Sequence, residues 1–380
     1  MIYFDNAATT LQKPPKVAAA VSAALQSFGG VGRGVHGASL AAGMGVYQAR
    51  EAVSSLFGVA NASRVAFSSN VTESLNTALF GLLDPGDHAI TTAASHNSML
   101  RPLYLLEDRG VELSIAPIGS DGSLDYERLE SLFRPNTKVL AVNHASNLSG
   151  DVYDVERLAS LAHDHGAIIV VDAAQSAGVI PLNMQEQGID VLCFTGHKGL
   201  YGPQGTGGLC VALGIDIRPL KVGGSGTHSY DRAHPSFMPE RLEAGTLNGH
   251  GIMGLEAGVR FVSEVGPRAI HEKEMALVER FETGIAAIPS IRVHGGKGGC
   301  DRTAVVALNL GDVDSGVLSD ALNVEYGICT RAGAHCAPLM HKALGTTAQG
   351  AVRFSFSYFN TADEVDFALA ALRALANRLA

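Results

Sequence analysis

Between about residues 63 and 213 the chain alternates short apolar runs with amphipathic stretches, and this alternation restricts the fold more than any other feature. Residues 65–67, 88–91, 111–116, 139–142, 168–171, 191–194 and 208–211 read as strands, and 71–83, 98–109 and 155–165 as helices. Runs rich in β-branched residues, separated by helices, imply a mostly parallel sheet covered on both faces. That is an α/β domain. Ligands of such sheets sit beyond the carboxyl ends of the strands, so polar residues directly after strands are the first candidates for chemistry.

The rest of the chain differs. Residues 249–286 read as helical, 303–310 as a strand, 315–323 as a helix, 351–357 as a strand and 362–379 as a helix. The expected organisation is a large α/β domain over 15–255 and a smaller α+β domain built from 1–14 and 256–380. With 46% hydrophobic and 17% charged residues, the chain has ample material for a core and little for disorder. A formal net charge of −9 argues against a nucleic-acid partner. The apolar run at 167–171 is far too short to span a bilayer. The segment from Met1 to Asp5 lacks the basic and apolar stretches of a signal peptide, so a cytoplasmic protein without a membrane partner is expected. The five cysteines are irregularly spaced with no CxxC pair, which suggests neither a zinc site nor a disulfide framework.

Several polar residues stand out against this pattern. Asp172 follows a buried-type strand, where an ionised carboxylate needs a cation or hydrogen bonds. A protonated pyridine nitrogen would serve, although an ordinary capping Asp is the plainer reading. Gln175 lies three residues on. Lys198, between His197 and Gly199, also follows a strand, and a lysine there can do Schiff-base chemistry if its surroundings favour the neutral amine. Asn70 and Glu73 resemble a capping box at a helix start whose free N–H groups can bind phosphate, with the Thr72 hydroxyl beside them. Cys336 lies among small residues with Arg331 and His335 nearby, which could favour its thiolate. Arg353, in an apolar run, needs an anion: either a substrate carboxylate or a structural partner.

Taken together and in order, these segments resemble the class V aminotransferase family, and within it the cysteine desulfurases and selenocysteine lyases. The segments are Asp172 to Gln175, Thr195 to Lys198 and Arg331 to Ala337, supported by Asp5 to Thr10, Glu243 to Thr246, and Arg353 with Tyr358, Asn360 and Thr361. The resemblance implies a pyridoxal 5′-phosphate (PLP) enzyme of fold type I: a large doubly wound, mostly parallel sheet domain with a smaller α+β domain. It also implies a homodimer with active sites at the interface. By motif position Lys198 would carry PLP as a Schiff base, Asp172 would pair with the pyridine nitrogen, and Gln175 would contact the ring hydroxyl. His96 would stack on the ring and join the catalysis. Thr72, Thr195 and His197 would hold the phosphate with Val71 beside them, and Thr246 would reach it from the partner subunit. Asn147 would touch both cofactor and substrate. Arg353 would bind the substrate carboxylate, with Arg331, Ala7 and His36 also at the substrate. Cys336 would be the nucleophile on a mobile loop.

The form Arg-x-Gly-x-His-Cys-Ala resembles the SufS-like branch, with two departures: Ala334 and Ser95 stand where that branch commonly has His and Glu. The resemblance implies removal of sulfur from L-cysteine to give L-alanine and a persulfide on Cys336, for transfer to a sulfur-acceptor protein. The alternatives are selenide release from L-selenocysteine or another PLP carbon–sulfur lyase. A nucleotide-binding α/β protein would need a GxGxxG or GxxxxGK[ST] loop in context, which is missing. A catalytically silent scaffold would have no use for Lys198, Asp172, Cys336 and Arg353 together.

Overall fold

Seven strands form the main sheet of the computed structural model, which describes residues 1–32 and 34–379. Their spatial order is Val65–Ser68, Gly207–Val211, Val191–Thr195, Ile168–Asp172, Thr137–Asn143, His88–Thr92 and Glu112–Ala116. Gly207–Val211 runs antiparallel to both neighbours, and every other adjacent pair is parallel. The expected α/β architecture is therefore present. One face packs Val46, Ile90, Val142, Val171 and Leu192, and the other Leu75, Leu79, Met99, Val170 and Val191. Burial on both faces accounts for the continuous apolar strands.

A second sheet holds four antiparallel strands in the order Ile291–His294, Val305–Leu310, Ala351–Ser355 and Arg331–Gly333. Its core contains Phe281, Val306, Phe354 and Leu372, and the N-terminal Phe4. The first residues run along this sheet: Ile2–Tyr3 pairs with Ile328–Cys329, and Asp5 bridges to Ser355. Five residues later the Thr10 N–H donates to the His197 carbonyl at 3.0 Å. The N-terminus thus ties the second sheet to the turn that carries Lys198.

The continuous helical stretch expected over 249–286 is two helices, Gly249–Val265 and Pro267–Ile285. Gly266 separates them at φ +90°, a conformation that suits glycine, and Pro267 then opens the second helix. Residue 255 lies inside the first of these, which packs on helices Pro15–Ser27 and Gly37–Leu56. Arg50, in Gly37–Leu56, makes a buried bidentate pair with Glu243 at 2.6 and 2.5 Å. Glu243 also accepts the Phe67 N–H at 2.6 Å, and Arg50 donates to the Val65 carbonyl. Arg50→Ala leaves this buried carboxylate without its cation. It is expected to lower unfolding free energy by about 3–5 kcal/mol, read by chemical denaturation.

Candidate active site

Lys198 projects from a turn three residues past the Val191–Thr195 strand. That strand pairs in register with Ile168–Asp172, Asp172 lying opposite Cys193, so both carboxyl ends open at the same edge. The Tyr201 N–H donates to the Lys198 carbonyl at 2.9 Å and closes the turn. Gly199 is required there, because a Cβ would lie 2.5 Å from the Ala177 carbonyl oxygen. Burial lowers the Lys198 pKa to about 8, with Asp172 opposing that shift and Arg353 and Arg331 adding to it. The neutral amine is thus within reach at ordinary pH. Covalent uptake of an aldehyde at Lys198 should rise with pH up to about 8 and level above it, measured as trapping rate against pH in the apoprotein.

Asp172 is buried, and one of its oxygens accepts the Ala174 N–H at 2.9 Å. Burial raises its pKa, while that hydrogen bond and Lys198 oppose the rise. Such a carboxylate gains from a further cation. Gln175 donates its side-chain N–H to the Ala7 carbonyl at 3.0 Å, and both residues line the Lys198 cavity. His96 caps helix Asn97–Glu107, its Nδ1 accepting the Ser98 N–H at 3.0 Å. Burial, then Lys198, Arg331 and Arg353, lower its pKa to about 4, so the ring is neutral and flat-faced at pH 7.

Thr195 and His197 bracket the approach to Lys198. The Thr195 hydroxyl and His197 Nδ1 are buried with no hydrogen-bond partner among the described residues. Such orphans call for a ligand or water. Val71 and Thr72 open helix Val71–Leu82, and the Thr72 hydroxyl meets that of Ser98 at 2.8 Å. The cap is half the expected box: Asn70 accepts the Glu73 N–H, but the Glu73 carboxylate turns to Ser69 and Lys221.

Arg353 is fully buried and has the structural partner that its sequence left open: it donates to Asp5 at 2.7 Å and to the Asn147 carbonyl at 3.0 Å. Its Nε remains unpartnered, as does Asn147 Oδ1. Arg331 lies opposite Arg353 in the sheet, so two guanidinium groups share this end of the site. Asn147 donates to the His335 carbonyl at 2.8 Å, and the Asn97 N–H donates to the Cys336 carbonyl at 2.8 Å. These bonds fix His335 and Cys336 in consecutive left-handed conformations, φ +49° and +56°. They also set the Cys336 backbone against the helix that His96 caps. The expectation that His335 favours a Cys336 thiolate needs correction. Burial pushes the His335 pKa down to about 3, and its ring stacks on His341, so it supplies no positive charge.

Thr246 and His36 stand apart. Thr246 is exposed on a loop and lines a cavity with Tyr47 and Arg50, and another beside it with Glu73 and Lys221. His36 is exposed at the start of helix Gly37–Leu56. Neither lines the Lys198 cavity. Sequence reading missed the Asp5–Arg353 pair, which no local pattern signals across 348 positions. It also missed Glu274, discussed below.

Six separate segments therefore bring a lysine, two arginines, two carboxylates, a neutral histidine and a cysteine to one site. Residues 2–367 match the family described as Aminotransferase class-V. The chain belongs to that family. It is 33% identical to a probable cysteine desulfurase of Methanothermobacter thermautotrophicus, covering 96% of this chain and 92% of that protein. Against probable cysteine desulfurase 1 of Mycobacterium leprae it is also 33% identical, covering 99% of this chain and 62% of that one. The apo cysteine desulfurase of Thermococcus onnurineus superposes with a TM-score of 0.93 at 35% identity, over 100% of this chain and 95% of that one. PLP is the cofactor of this class V family. The site fits it: a neutral-prone lysine, an acid awaiting a cation, a neutral ring for stacking, and orphaned Thr195 and His197 atoms beside a helix start.

Proposed function

We propose that this chain is a PLP-dependent cysteine desulfurase, converting L-cysteine to L-alanine with Cys336 as the sulfur-receiving group. The observation that carries the reading is Cys336 held by the Asn97 N–H, on the helix capped by His96, in a site where Lys198 and Asp172 converge. When bound, PLP supplies an aldehyde for an amine and a ring that takes up the electron pair left at the substrate Cα.

The chain's own residues would do the rest. Asp172 would keep a proton on the ring nitrogen, because its buried carboxyl group has a single hydrogen bond and gains from a cation beside it. His96 would cover one ring face, and Gln175 would orient the ring hydroxyl. Thr195, His197 and Thr72 would hold the phosphate at the start of helix Val71–Leu82. Arg353 and Arg331 attract the substrate carboxylate, Asn147 and Ala7 lie beside it, and the Asp5 pair keeps Arg353 in place. Lys198, whose amine is neutral-prone, would accept the Cα proton at Nζ. Cys336 Sγ then attacks the substrate sulfur: an S–S bond forms, the C–S bond breaks, and the Cβ carbon retains the bonding pair until it is protonated. The persulfide sulfur passes to an acceptor thiol, which we expect on a partner protein.

The division into 15–255 and the remaining 1–14 with 256–380, a cytoplasmic location and a homodimer belong to the same proposal. Exposed Val35, Leu40, Met44 and Tyr47, with Val222, Tyr230 and Phe237, support a dimer, since such side chains gain by being covered. Thr246 and His36 lie among them and would serve the partner's site. The test is alanine release from L-cysteine and L-selenocysteine, side by side, with a thiol reductant. Alanine from L-cysteine at catalytic turnover is expected; none from L-cysteine overturns the proposal.

A further inference from the structure

Glu274 is an acid at a position where its helix calls for an apolar residue. The buried face of Pro267–Ile285 carries Ile270, Glu274, Leu277, Val278, Phe281 and Ile285. The residue is 4% exposed, and its carboxyl group lies beside the Tyr201 hydroxyl and the Tyr358 N–H. Burial pushes its pKa up to about 8, so it is a neutral acid at pH 7. Lys273, whose ammonium sits 4.1 Å from the Tyr358 ring, is the charged group that opposes this shift. Glu274 lines the same cavity as Lys198, Gln175 and Ala7.

Tyr201 connects the two. It is fully buried at φ +55°, edge-on to Phe261 and Phe359 at 5.5 Å. A left-handed tyrosine persists only where its surroundings impose it. Its N–H closes the Lys198 turn at 2.9 Å. Its hydroxyl oxygen accepts the Tyr358 N–H at 3.3 Å, which leaves the hydroxyl proton free to donate. Glu274 is the carboxyl group beside it, on the helix that packs on the second sheet's core.

We infer that Glu274 is a positioning residue for Lys198: its carboxyl group receives the Tyr201 hydroxyl and so fixes the turn that aims the amine into the site. The inference rests on the assignment of Lys198 made above. It is tested on Glu274→Leu, Glu274→Gln, Tyr201→Phe and the Leu–Phe double variant. Each apoprotein is mixed with PLP and quenched with borohydride at intervals, and the labelled Lys198 peptide is quantified by mass. Thermal unfolding checks the fold. Loss of one buried hydrogen bond predicts labelling about tenfold slower in Glu274→Leu and in Tyr201→Phe. The double variant should be no slower than either alone, because both remove one interaction. Glu274→Gln, which still accepts the hydroxyl, should stay within about twofold of wild type. Wild-type labelling in Glu274→Leu, equal slowing in Glu274→Gln, or multiplied effects in the double variant would overturn the inference. If Glu274→Leu does not fold, Tyr201→Phe against Glu274→Gln decides by the same rates. Wild-type label on another lysine removes the Lys198 assignment itself, and the inference with it.

Discussion

Lys198→Ala is expected to bind PLP without covalent attachment and to lose alanine release by about 10³-fold or more, because both the cofactor's amine partner and the Cα base are removed. The fold should survive. The Lys198 ammonium makes no hydrogen bond to the described residues, so truncation leaves no donor or acceptor without its partner, and Asp172, losing the nearby charge, holds a proton more readily. Its pKa lies below the usual lysine value, which means the folded state binds its proton less readily than the unfolded chain. Between about 8 and the normal lysine range, stability therefore rises with pH; below about 8 the folded state carries an ammonium that burial disfavours. At pH 7 the alanine variant should be no less stable than the parent. Absorbance after borohydride and peptide mass give the covalent readout, and thermal unfolding gives the second. Retained cofactor label, or turnover near the parent rate, would move the chemistry to another lysine.

The large sheet was readable in the sequence because its inner strands, such as Ile168–Asp172 and Val191–Thr195, are buried on both faces and so appear as nearly continuous apolar runs. The helix Ala362–Leu379 was readable because it is amphipathic throughout. The Gly249–Val265 and Pro267–Ile285 helices merged into one because a lone Gly266 before Pro267 is a weak break in an otherwise helical pattern. Helix Pro15–Ser27 went unread; only Val17 and Ala24 are buried on it, so its apolar stripe is faint. In the site, residues directly after strands were legible, as Asp172 and Lys198 show. Long-range pairs were not: Asp5 with Arg353 depends on how the N-terminus meets the second sheet, and Arg50 with Glu243 on how a helix and a distant loop meet strand Val65–Ser68, which no local spacing encodes. Glu274 did leave a trace, an acid four residues after Ile270 and three before Leu277 on a buried stripe, and a rule flagging acids at such positions would have found it.

Cys336→Ala separates the cofactor site from the sulfur chemistry. Alanine occupies a left-handed conformation at much the same cost as cysteine, so φ +56° at this position is not a new burden. The bonds that shape the turn come from the Asn97 N–H to the Cys336 carbonyl and from Asn147 to the His335 carbonyl; both use main-chain acceptors that the substitution keeps. Covalent uptake of PLP at Lys198 should therefore match the parent. Alanine release from L-cysteine should fall by roughly 10²-fold or more, since a solution thiol lacks the positioning of one held in the site. Mass spectrometry of the parent after L-cysteine should find one added sulfur atom on the Cys336 peptide, and none in the variant. L-Selenocysteine should be less affected, because selenium can leave without a protein thiol to receive it. Parent-level turnover of L-cysteine by Cys336→Ala would refute the nucleophile role. It would leave Cys329, which pairs with Tyr3 in the neighbouring short strand, and exposed Cys300 as the cysteines to examine next.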